Sequence, residues 1–432
     1  MSIDLALIFP RLKYPSGDPP LGLASIAALC REKGFSVEIV DATWHPSVRW
    51  VVDEINGLQP RVIGIYCSTL MLPAVKGICE ELKGANIVVG GPHPSICPED
   101  FFGWGNVTVV QGEGELTMVN ILSGVQGDMV ICNASLPYYP PPALDLLDME
   151  KYIERWHYLD AIGIFRGTNL VGSRGCPFSC QFCQPTLELI FGKRVRKRKP
   201  EQIAEEMADL SERYNLNAFF FHDDTFTAYP KWLTRFLTEV SDLYFHPLWG
   251  CNSRVDTVTP QMLKDMYAAG CRMIHFGIES GSQRILDDVY DKRIKLEQVH
   301  AAVNWAKDVG ILPSGFFMLG APDETKQEMD ATVDLACSLP LSEASFSLVV
   351  PLPGTRLWDR MMAKGYTMSA DVNQYDYYAA QPFSGDFDRG WLRNFQRKAL
   401  IRFYMSRPKY MLHHFTSAAG VKRLASKVRR FI

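Results

Sequence analysis

The sequence predicts an α/β protein with two successive parallel β-sheets and a mostly helical C-terminal cap. Short apolar runs rich in β-branched residues alternate with helical segments over most of the chain, which is typical of parallel sheets. A proline-rich stretch at residues 136–142 interrupts this alternation, because proline lacks the N–H that a helix or sheet interior needs. We therefore predict an N-terminal domain at residues 1–135, a linker at 136–160, a second domain at 161–355 and the cap at 356–432.

The N-terminal domain is predicted to be a doubly wound parallel sheet. Its strands are expected at residues 3–9, 35–40, 62–66, 87–89 and 107–110, with helices between them. Ligands of such sheets bind at the carboxyl ends of the strands. Gly90 and Gly91 follow the fourth strand, and Gly112 follows the fifth, so we expect these turns to meet a ligand.

The second domain is predicted to be a partial (β/α)6 barrel. Strands are expected at residues 169–173, 218–222, 248–251, 273–277, 314–319 and 344–349, and helices at 201–214, 232–243, 260–270, 297–309 and 326–339. By analogy with complete βα barrels, the active site should lie at the carboxyl ends of the strands.

The cap is crowded with aromatic residues and ends in a basic segment at residues 422–430. We interpret it as core and lid. Within it, Tyr375, Tyr377 and Tyr378 are candidates to line the mouth of a substrate site.

Composition predicts a soluble protein without nucleic acid as an expected partner. Hydrophobic residues make up 47% of the chain and charged residues 22%, and no apolar run is long enough for a membrane span. The net charge of −3 provides no general attraction for phosphate backbones. The basic run at residues 193–199 is interpreted as a solvated face or an anion contact. The first residues resemble a β-strand and not an export signal, so we expect a cytoplasmic protein.

Three of the eleven cysteines form a cluster, and the other eight are scattered. Cys176, Cys180 and Cys183 directly follow the first barrel strand, at the expected active end. Thiolates are the usual ligands of iron–sulfur clusters, and three of them leave one iron open. A structural zinc site normally has a fourth Cys or His at similar spacing, and none stands nearby. A zinc knuckle or three buried thiols remains the alternative.

The Cys-x₃-Cys-x₂-Cys spacing, with Phe182 before the third cysteine, resembles the signature of the radical S-adenosylmethionine (SAM) superfamily. The resemblance implies a [4Fe-4S] cluster whose open iron binds the methionine end of SAM. One-electron reduction of the bound SAM would yield methionine and a 5′-deoxyadenosyl radical.

Further motifs follow in the order typical of that superfamily, from Arg166 to Pro353. They imply SAM contacts at the ends of successive barrel strands: Asp223 for the methionine amino group, Arg254 for the carboxylate, Glu279 and Ser280 for the ribose and methionine, and Met318 and Gly320 for the adenine.

The N-terminal domain resembles the Rossmann-like cobalamin-binding domain that precedes the barrel in one subfamily. The resemblance places Gly90, Gly91 and Gly112 near a corrin or its nucleotide tail. The Asp-x-His-x-x-Gly pattern that supplies an axial histidine in other cobalamin proteins is absent. We interpret His93 as a loop histidine and not as a cobalt ligand.

Three functions remain open from the sequence. The first is cobalamin-dependent C-methylation of a small-molecule substrate, started by the adenosyl radical. The second is cobalamin-independent radical chemistry, such as dehydration or deoxygenation of a sugar diol, or another rearrangement. The third is a non-catalytic corrinoid-binding or metal-binding module. An enzyme of this type would need a low-potential electron donor such as flavodoxin.

Overall fold

Residues 3–13, 15–125, 127–131, 139–350, 352–366 and 387–407 are described by the computed structural model. The chain divides into two units. The first consists of Met1–Tyr158, Ile164–Pro177 and Pro185–Phe220, and the second of Leu159–Gly163, Phe178–Gln184 and Phe221–Ile432. The predicted domain boundaries at 135, 160 and 355 stay predictions.

The N-terminal sheet is parallel throughout, as predicted. Its strands are β1 (Leu5–Phe9), β2 (Val37–Asp41), β3 (Val62–Tyr66), β4 (Ile87–Gly90), β5 (Val107–Gln111) and β6 (Met129–Ile131), in the spatial order β2-β1-β3-β4-β5-β6. The edge strand β6 was not predicted, because it has only three residues and is largely exposed, so it lacks an apolar run.

Six helices accompany this sheet. They are α1 (Leu21–Glu32), α2 (Val48–Leu58), α3 (Leu72–Glu81), α4 (Pro92–Ile96), α5 (Glu115–Leu122) and α6 (Met149–Arg155). The core beneath α1 and α5 includes Leu5, Leu7, Leu23 and Met118, all nearly inaccessible to solvent. Burial of such side chains contributes roughly 1.5–3 kcal/mol each.

The second sheet has six strands in the order β14-β13-β12-β11-β10-β7, which confirms the predicted partial barrel. Its strands are β7 (Gly167–Leu170), β10 (Ala218–Phe221), β11 (Leu248–Ser253), β12 (Cys271–Glu279), β13 (Leu312–Leu319) and β14 (Glu343–Leu348). The short strands β8 (Ser173–Arg174) and β9 (Arg196–Lys197) pair with each other. The pairs β11–β12, β12–β13 and β13–β14 are parallel, so their carboxyl ends share one edge.

The segment at residues 176–183, which carries the three clustered cysteines, is called the cluster loop. The helices after the cluster loop begin where the sequence places prolines and capping residues. They are α7 (Thr186–Phe191), α8 (Pro200–Tyr214), α9 (Pro230–Ser241), α10 (Pro260–Ala268), α11 (Leu296–Val309) and α12 (Lys326–Ser338). Proline suits the first helical position, where an N–H would have no partner. At α12, Thr325 and Glu328 form a reciprocal capping box that fixes the helix start directly after β13.

Two helices are described in the predicted cap, α13 (Arg356–Ala363) and α14 (Arg389–Met405). Gln396 on α14 donates to the carbonyl of Phe346 on β14 at 2.7 Å. Tyr375, Tyr377, Tyr378 and residues 422–430 lie outside the described residues. In the described part of the chain, no helix combines the length and the apolar character that crossing a membrane requires.

Candidate functional site

The cluster loop holds its second and third cysteines in a tight turn within the second unit. The N–H groups of Cys183 and Gln184 donate to the carbonyl of Cys180 at 3.1 and 3.0 Å. Gln181, which follows Cys180, donates its N–H to the carbonyl of Tyr290 at 2.8 Å. Cys180 is buried and Cys183 is half-buried. Cys176, the first cysteine of the motif, is half-buried and belongs to the first unit.

Arg254 lies against the cluster loop at the end of β11. Its Nη1 donates to the sulfur of Cys180 at 3.3 Å, and its guanidinium lies 3.8 Å from the centre of the Phe178 ring. Its Nε and Nη2 donate to the two carboxylate oxygens of Asp256 at 2.9 and 2.8 Å. The same Nη2 donates to the carbonyl of Lys292 at 2.8 Å. The predicted carboxylate-binding residue therefore already holds a carboxylate and also contacts a cluster cysteine.

Glu279 forms a buried ion pair with Lys292. The ammonium donates to Glu279 Oε1 at 2.7 Å, and both side chains are at least nine-tenths buried. Glu279 has a φ of 68°, in the left-handed region that a non-glycine residue rarely adopts. Lys292 also lies 5.7 Å from the ring centre of Phe182, which packs edge-on against Tyr290. The pair thus lies beside the aromatic residue that precedes the third cysteine.

The pKa of the Cys183 thiol is raised, first by burial and then by the negative charges of Cys180, Asp224 and Glu279. Lys292 acts in the opposite direction. Iron binds the thiolate form of cysteine, and among the neighbouring side chains Lys292 favours that form.

The predicted adenine motif ends in a turn that a buried carboxylate holds. Glu324 Oε2 accepts the N–H groups of Gly320 and Ala321 at 2.7 and 2.9 Å. Gly320 needs its glycine, because its φ is 79°. Burial raises the pKa of Glu324 to about 7, although these two hydrogen bonds lower it. Met318 is half-buried on β13 just before this turn.

Two other predicted SAM residues are buried at strand ends. Asp223 follows β10 and is 2% exposed. Ser280 follows β12 and is fully buried, and its hydroxyl lies 3.3 Å from Thr332 Oγ1 and accepts the N–H of Ser282 at 3.1 Å. The structure therefore shows a structural role for the Ser280 hydroxyl, between β12 and α12.

A network of buried charges in the first unit joins the turn after β5 to the residue two positions before Cys176. Arg174 donates to Glu113 Oε1 at 2.5 Å and to Glu115 Oε1 at 2.6 Å. Arg196 pairs with Glu113 Oε2 at 2.6 Å, and Tyr139 donates to the same oxygen at 3.2 Å. The two positive and two negative charges balance, so each pair depends on the others.

This network revises the interpretation of the basic run at residues 193–199. Arg196 pairs with the buried Glu113, and Arg198 pairs with the buried Glu206. At least two of the basic residues therefore stabilise the first unit instead of forming a solvated face.

The glycines predicted to meet cobalamin differ in what the protein itself requires of them. A Cβ at Gly91 would lie 2.8 Å from the carbonyl oxygen of Cys67, and Gly91 has a φ of 115°. Gly112 has a φ of 88° and donates its N–H to the hydroxyl of Ser95 at 3.1 Å. A Cβ at Gly90 would meet only Val110, at an ordinary 3.7 Å. Of the three, Gly90 alone has no such internal reason to be glycine.

His93 is part of α4, not of a loop. It is buried, and its ring nitrogens lie 3.1 Å from Thr69 Oγ1 and 3.0 Å from Asp100 Oδ2. Cys97 lies close enough to complete a group of three potential metal-binding side chains. Because Thr69 and Asp100 satisfy both ring nitrogens, this group is stable without a metal.

Sequence reasoning missed Lys292, Glu324 as a turn holder, and the charge network of Arg174. Lys292 and Arg174 carry no motif signal of their own, and their partners Glu279 and Glu113 lie 13 and 61 residues away. A signal existed for Glu324, because a carboxylate four residues after a strand-ending glycine can reach back to its N–H.

The residues present fit the groups that the resemblance implies. For the cluster, the donor set consists of thiols, and Cys180 has an N–H donor on its sulfur, as sulfur ligands of iron–sulfur clusters often do. For cobalamin, Gly90 lies at the carboxyl end of β4, where a Cβ would meet Val110 at an ordinary 3.7 Å, so the packing of the first unit does not itself require glycine there.

Two family models match this chain. The Radical SAM superfamily model covers residues 170–336, and the B12 binding domain model covers residues 12–122. The B12 binding domain match spans β2 to β5 of the first sheet, and the Radical SAM match spans β10 to β13 of the second.

Relatives and solved structures agree with these matches. An uncharacterized methyltransferase of Pyrococcus horikoshii is 32% identical, over 91% of this chain and 89% of the relative. The cytidylyl-2-hydroxyethylphosphonate methyltransferase of Streptomyces wedmorensis is 26% identical, over 83% of this chain and 79% of the relative. The radical SAM methyltransferase TsrM of Kitasatospora setae, solved with cobalamin and a [4Fe-4S] cluster, shares the fold with a TM-score of 0.69 and 18% identity, over 86% of this chain and 78% of that one. This chain therefore belongs to the radical SAM superfamily, among the methyltransferases with an N-terminal B12-binding domain.

Proposed function

We propose that this protein methylates a carbon atom of a small-molecule substrate, using a radical generated from SAM. The observation that carries the proposal is the buried Cys180, which receives an N–H from Arg254 inside a three-thiol loop. Its combination with a B12-binding domain supports methyl transfer over other radical chemistry. The relative from Streptomyces wedmorensis supports a small-molecule substrate.

Each part of the site has a separate task in this proposal. Cys176, Cys180 and Cys183 hold the [4Fe-4S] cluster. When bound, the cluster and SAM would supply hydrogen-abstracting radical chemistry, and cobalamin the methyl group. Gly90 leaves room for the corrin or its nucleotide tail, next to Gly91 and Gly112, which shape the strand-end turns.

SAM would be held by the carboxyl ends of the second sheet. Asp223 and Glu279 offer carboxylates there, and the ammonium of Lys292 holds the Glu279 side chain in place. Glu324 fixes the backbone at Gly320, so that the turn after β13 presents a constant surface to the adenine. Met318 provides apolar contact beside it, and Ser280 keeps the end of β12 in position.

The proposal includes a low-potential electron donor such as flavodoxin and a cytoplasmic location. Reductive cleavage of SAM needs such a donor, and a [4Fe-4S] cluster with one open iron is sensitive to oxygen. The proposal assigns no residue of this chain to the contact with the electron donor or to the location.

The first test replaces Cys180 with alanine. Anaerobically reconstituted wild-type protein should bind iron and sulfide and, with reductant, convert SAM to 5′-deoxyadenosine. Cys180→Ala should lose most of the iron and all of the 5′-deoxyadenosine, because two thiols cannot hold the cluster. Iron analysis, the broad cluster absorbance and chromatography of the nucleoside check this. Cys79→Ala, a buried cysteine on α3, is the matched control and should keep both.

The same preparation separates the alternatives. With hydroxocobalamin and SAM carrying a deuterated methyl group, methyl transfer predicts bound corrin absorbance and label in the product. Formation of 5′-deoxyadenosine without any corrin binding would favour a cobalamin-independent rearrangement. Wild-type protein that binds zinc and no iron would contradict both enzymatic functions.

A further inference from the structure

Arg254 has little capacity left for the carboxylate of SAM. A guanidinium has five N–H donors, and it recognises a carboxylate best through two parallel bonds. In this structure Asp256 already occupies such a fork, formed by Nε and Nη2. Nη2 also serves the carbonyl of Lys292, and Nη1 donates to Cys180. A second carboxylate could bind in a fork only by displacing Asp256 from Nε and Nη2, or the carbonyl of Lys292 from Nη2.

The side chain is also held rigidly. Arg254 is 5% exposed, and the Phe178 ring stacks on its guanidinium at 3.8 Å. Asp256 and the carbonyl of Lys292 fix the plane of the group from the side away from the sulfur. The remaining freedom of Nη1 is small, so its N–H stays directed at the Cys180 sulfur.

A cationic N–H directed at a cysteine sulfur affects an iron–sulfur cluster in a known direction. The reduced cluster carries one more negative charge than the oxidised one, and a nearby positive charge stabilises that state. Hydrogen bonds to the sulfurs likewise shift the reduction potential of such clusters. Asp256 offsets part of the Arg254 charge, but its side chain is more exposed, so water screens it more strongly.

We propose that Arg254 is a positioning residue that donates Nη1–H to the Cys180 sulfur of the assembled cluster and raises its reduction potential. This inference rests on the proposed function, because it requires the cluster. It assigns Arg254 to the ease of electron entry and not to the binding of the methionine carboxylate.

The test replaces Arg254 with glutamine and measures the midpoint potential of the cluster by an EPR-monitored redox titration, without SAM. We expect the potential to become more negative than that of the wild type. Arg254→Lys keeps the charge but not the geometry of the fork, and its potential should lie between the two. Arg272→Gln removes an arginine side chain on β12 that donates to the carbonyls of Tyr267 and Cys271, so it controls for the change in net charge and should leave the potential unchanged.

SAM binding to the oxidised cluster separates the two roles of Arg254. Equilibrium dialysis should give similar affinities for wild type and Arg254→Lys under the proposal. If Arg254→Gln and Arg254→Lys both lost most of their SAM affinity while the potential of the cluster stayed unchanged, the result would overturn the proposal in favour of carboxylate binding. An unchanged potential in both variants overturns it in any case. Absence of a cluster in the wild type would instead refute the proposed function itself.

Discussion

Glu324 combines a buried carboxylate with one oxygen that accepts two N–H groups and another, Oε1, that has no hydrogen-bond partner. Such a group is under electrostatic strain when it is ionised. Its pKa of about 7 lies above the ordinary value of 4.5, and burial is the cause. The folded protein therefore binds a proton more tightly at this position than the unfolded chain does.

This shift makes a prediction about stability and pH. Because the folded pKa is raised, the contribution of Glu324 is fully present below pH 4.5 and is lost as the pH rises through 7. Glu324→Gln keeps an oxygen acceptor without the charge. Urea unfolding of the full chain should show that the variant gains stability relative to the wild type between pH 5 and pH 8, by up to about 3 kcal/mol. Parallel stability curves for the two proteins would contradict the assignment.

At the residue scale, the sequence predicted which residue types lie at the site but not their partners. The three cysteines follow from spacing alone. Arg254 was expected to bind a ligand carboxylate because a guanidinium suits one, yet Asp256, two residues later, occupies that fork. The partner of Glu279 comes from Lys292, thirteen residues away in a loop without periodicity, and no local pattern could indicate it.

At the scale of elements, prediction was accurate because the spacing of apolar residues and the residues that begin or end helices are local signals in the sequence. The strands β3 and β10 begin at the predicted residues, and α10 starts at its proline. The first barrel strand was predicted at residues 169–173, but β7 spans Gly167–Leu170, and the short strands β8 and β9 were not predicted. Two further failures were β6, which is short and exposed, and α4, whose five residues include two prolines and a histidine. Neither has enough apolar residues to reveal a period.

The charge network between the turn after β5 and β8 yields a prediction about stability. Glu113→Gln removes one of the two buried carboxylates that neutralise Arg174 and Arg196, and so leaves half-buried positive charge uncompensated. We expect a loss of about 3 kcal/mol in the free energy of unfolding, measured with urea on the apoprotein. Glu99→Gln, an exposed residue near α4, is the control and should change stability by less than about 0.5 kcal/mol.

The same variant has a consequence for the cluster loop. Arg174 stands two residues before Cys176, so a loosened β8 should lower the iron content of Glu113→Gln after reconstitution. Equal stability and equal iron content in Glu113→Gln and Glu99→Gln would show that the network has no role in either.

At the scale of the whole molecule, the sequence predicted two parallel sheets and their order along the chain. The sheets were recognisable because each βα repeat carries its own hydrophobic pattern. The boundaries between domains were harder to place, since the cluster loop and β10 contribute to both units. A contiguous division at residues 135 and 160 stays a prediction for this reason.

Ligand binding by the first unit can be tested through the stability of the whole protein. A ligand that binds the folded state alone stabilises it by about 2.7 kcal/mol at roughly one hundred times its Kd. Hydroxocobalamin should therefore raise the Tm of the wild type. Gly90→Ala should reduce this increase while leaving the Tm of the unliganded protein nearly unchanged, because the added Cβ makes only ordinary contact with Val110.

Gly91→Ala provides the contrasting control. Its Cβ would collide with the carbonyl of Cys67, so the unliganded protein itself should be destabilised. A Gly90→Ala protein that still responds fully to hydroxocobalamin would place the corrin elsewhere.

The ion pair of Glu279 and Lys292 occupies the space where Gly277 would carry a Cβ, which would lie 2.6 Å from the carboxylate and 2.7 Å from the ammonium. Gly277 pairs with Phe316 of β13, and Glu279 pairs with the next residue, Phe317. Strand β12 therefore has one additional residue, Ile278, between them. These positions should therefore be inherited as a group during evolution. In homologues where residue 277 has gained a side chain, we expect the acid and the base to have been replaced together, and the strand to have lost its additional residue.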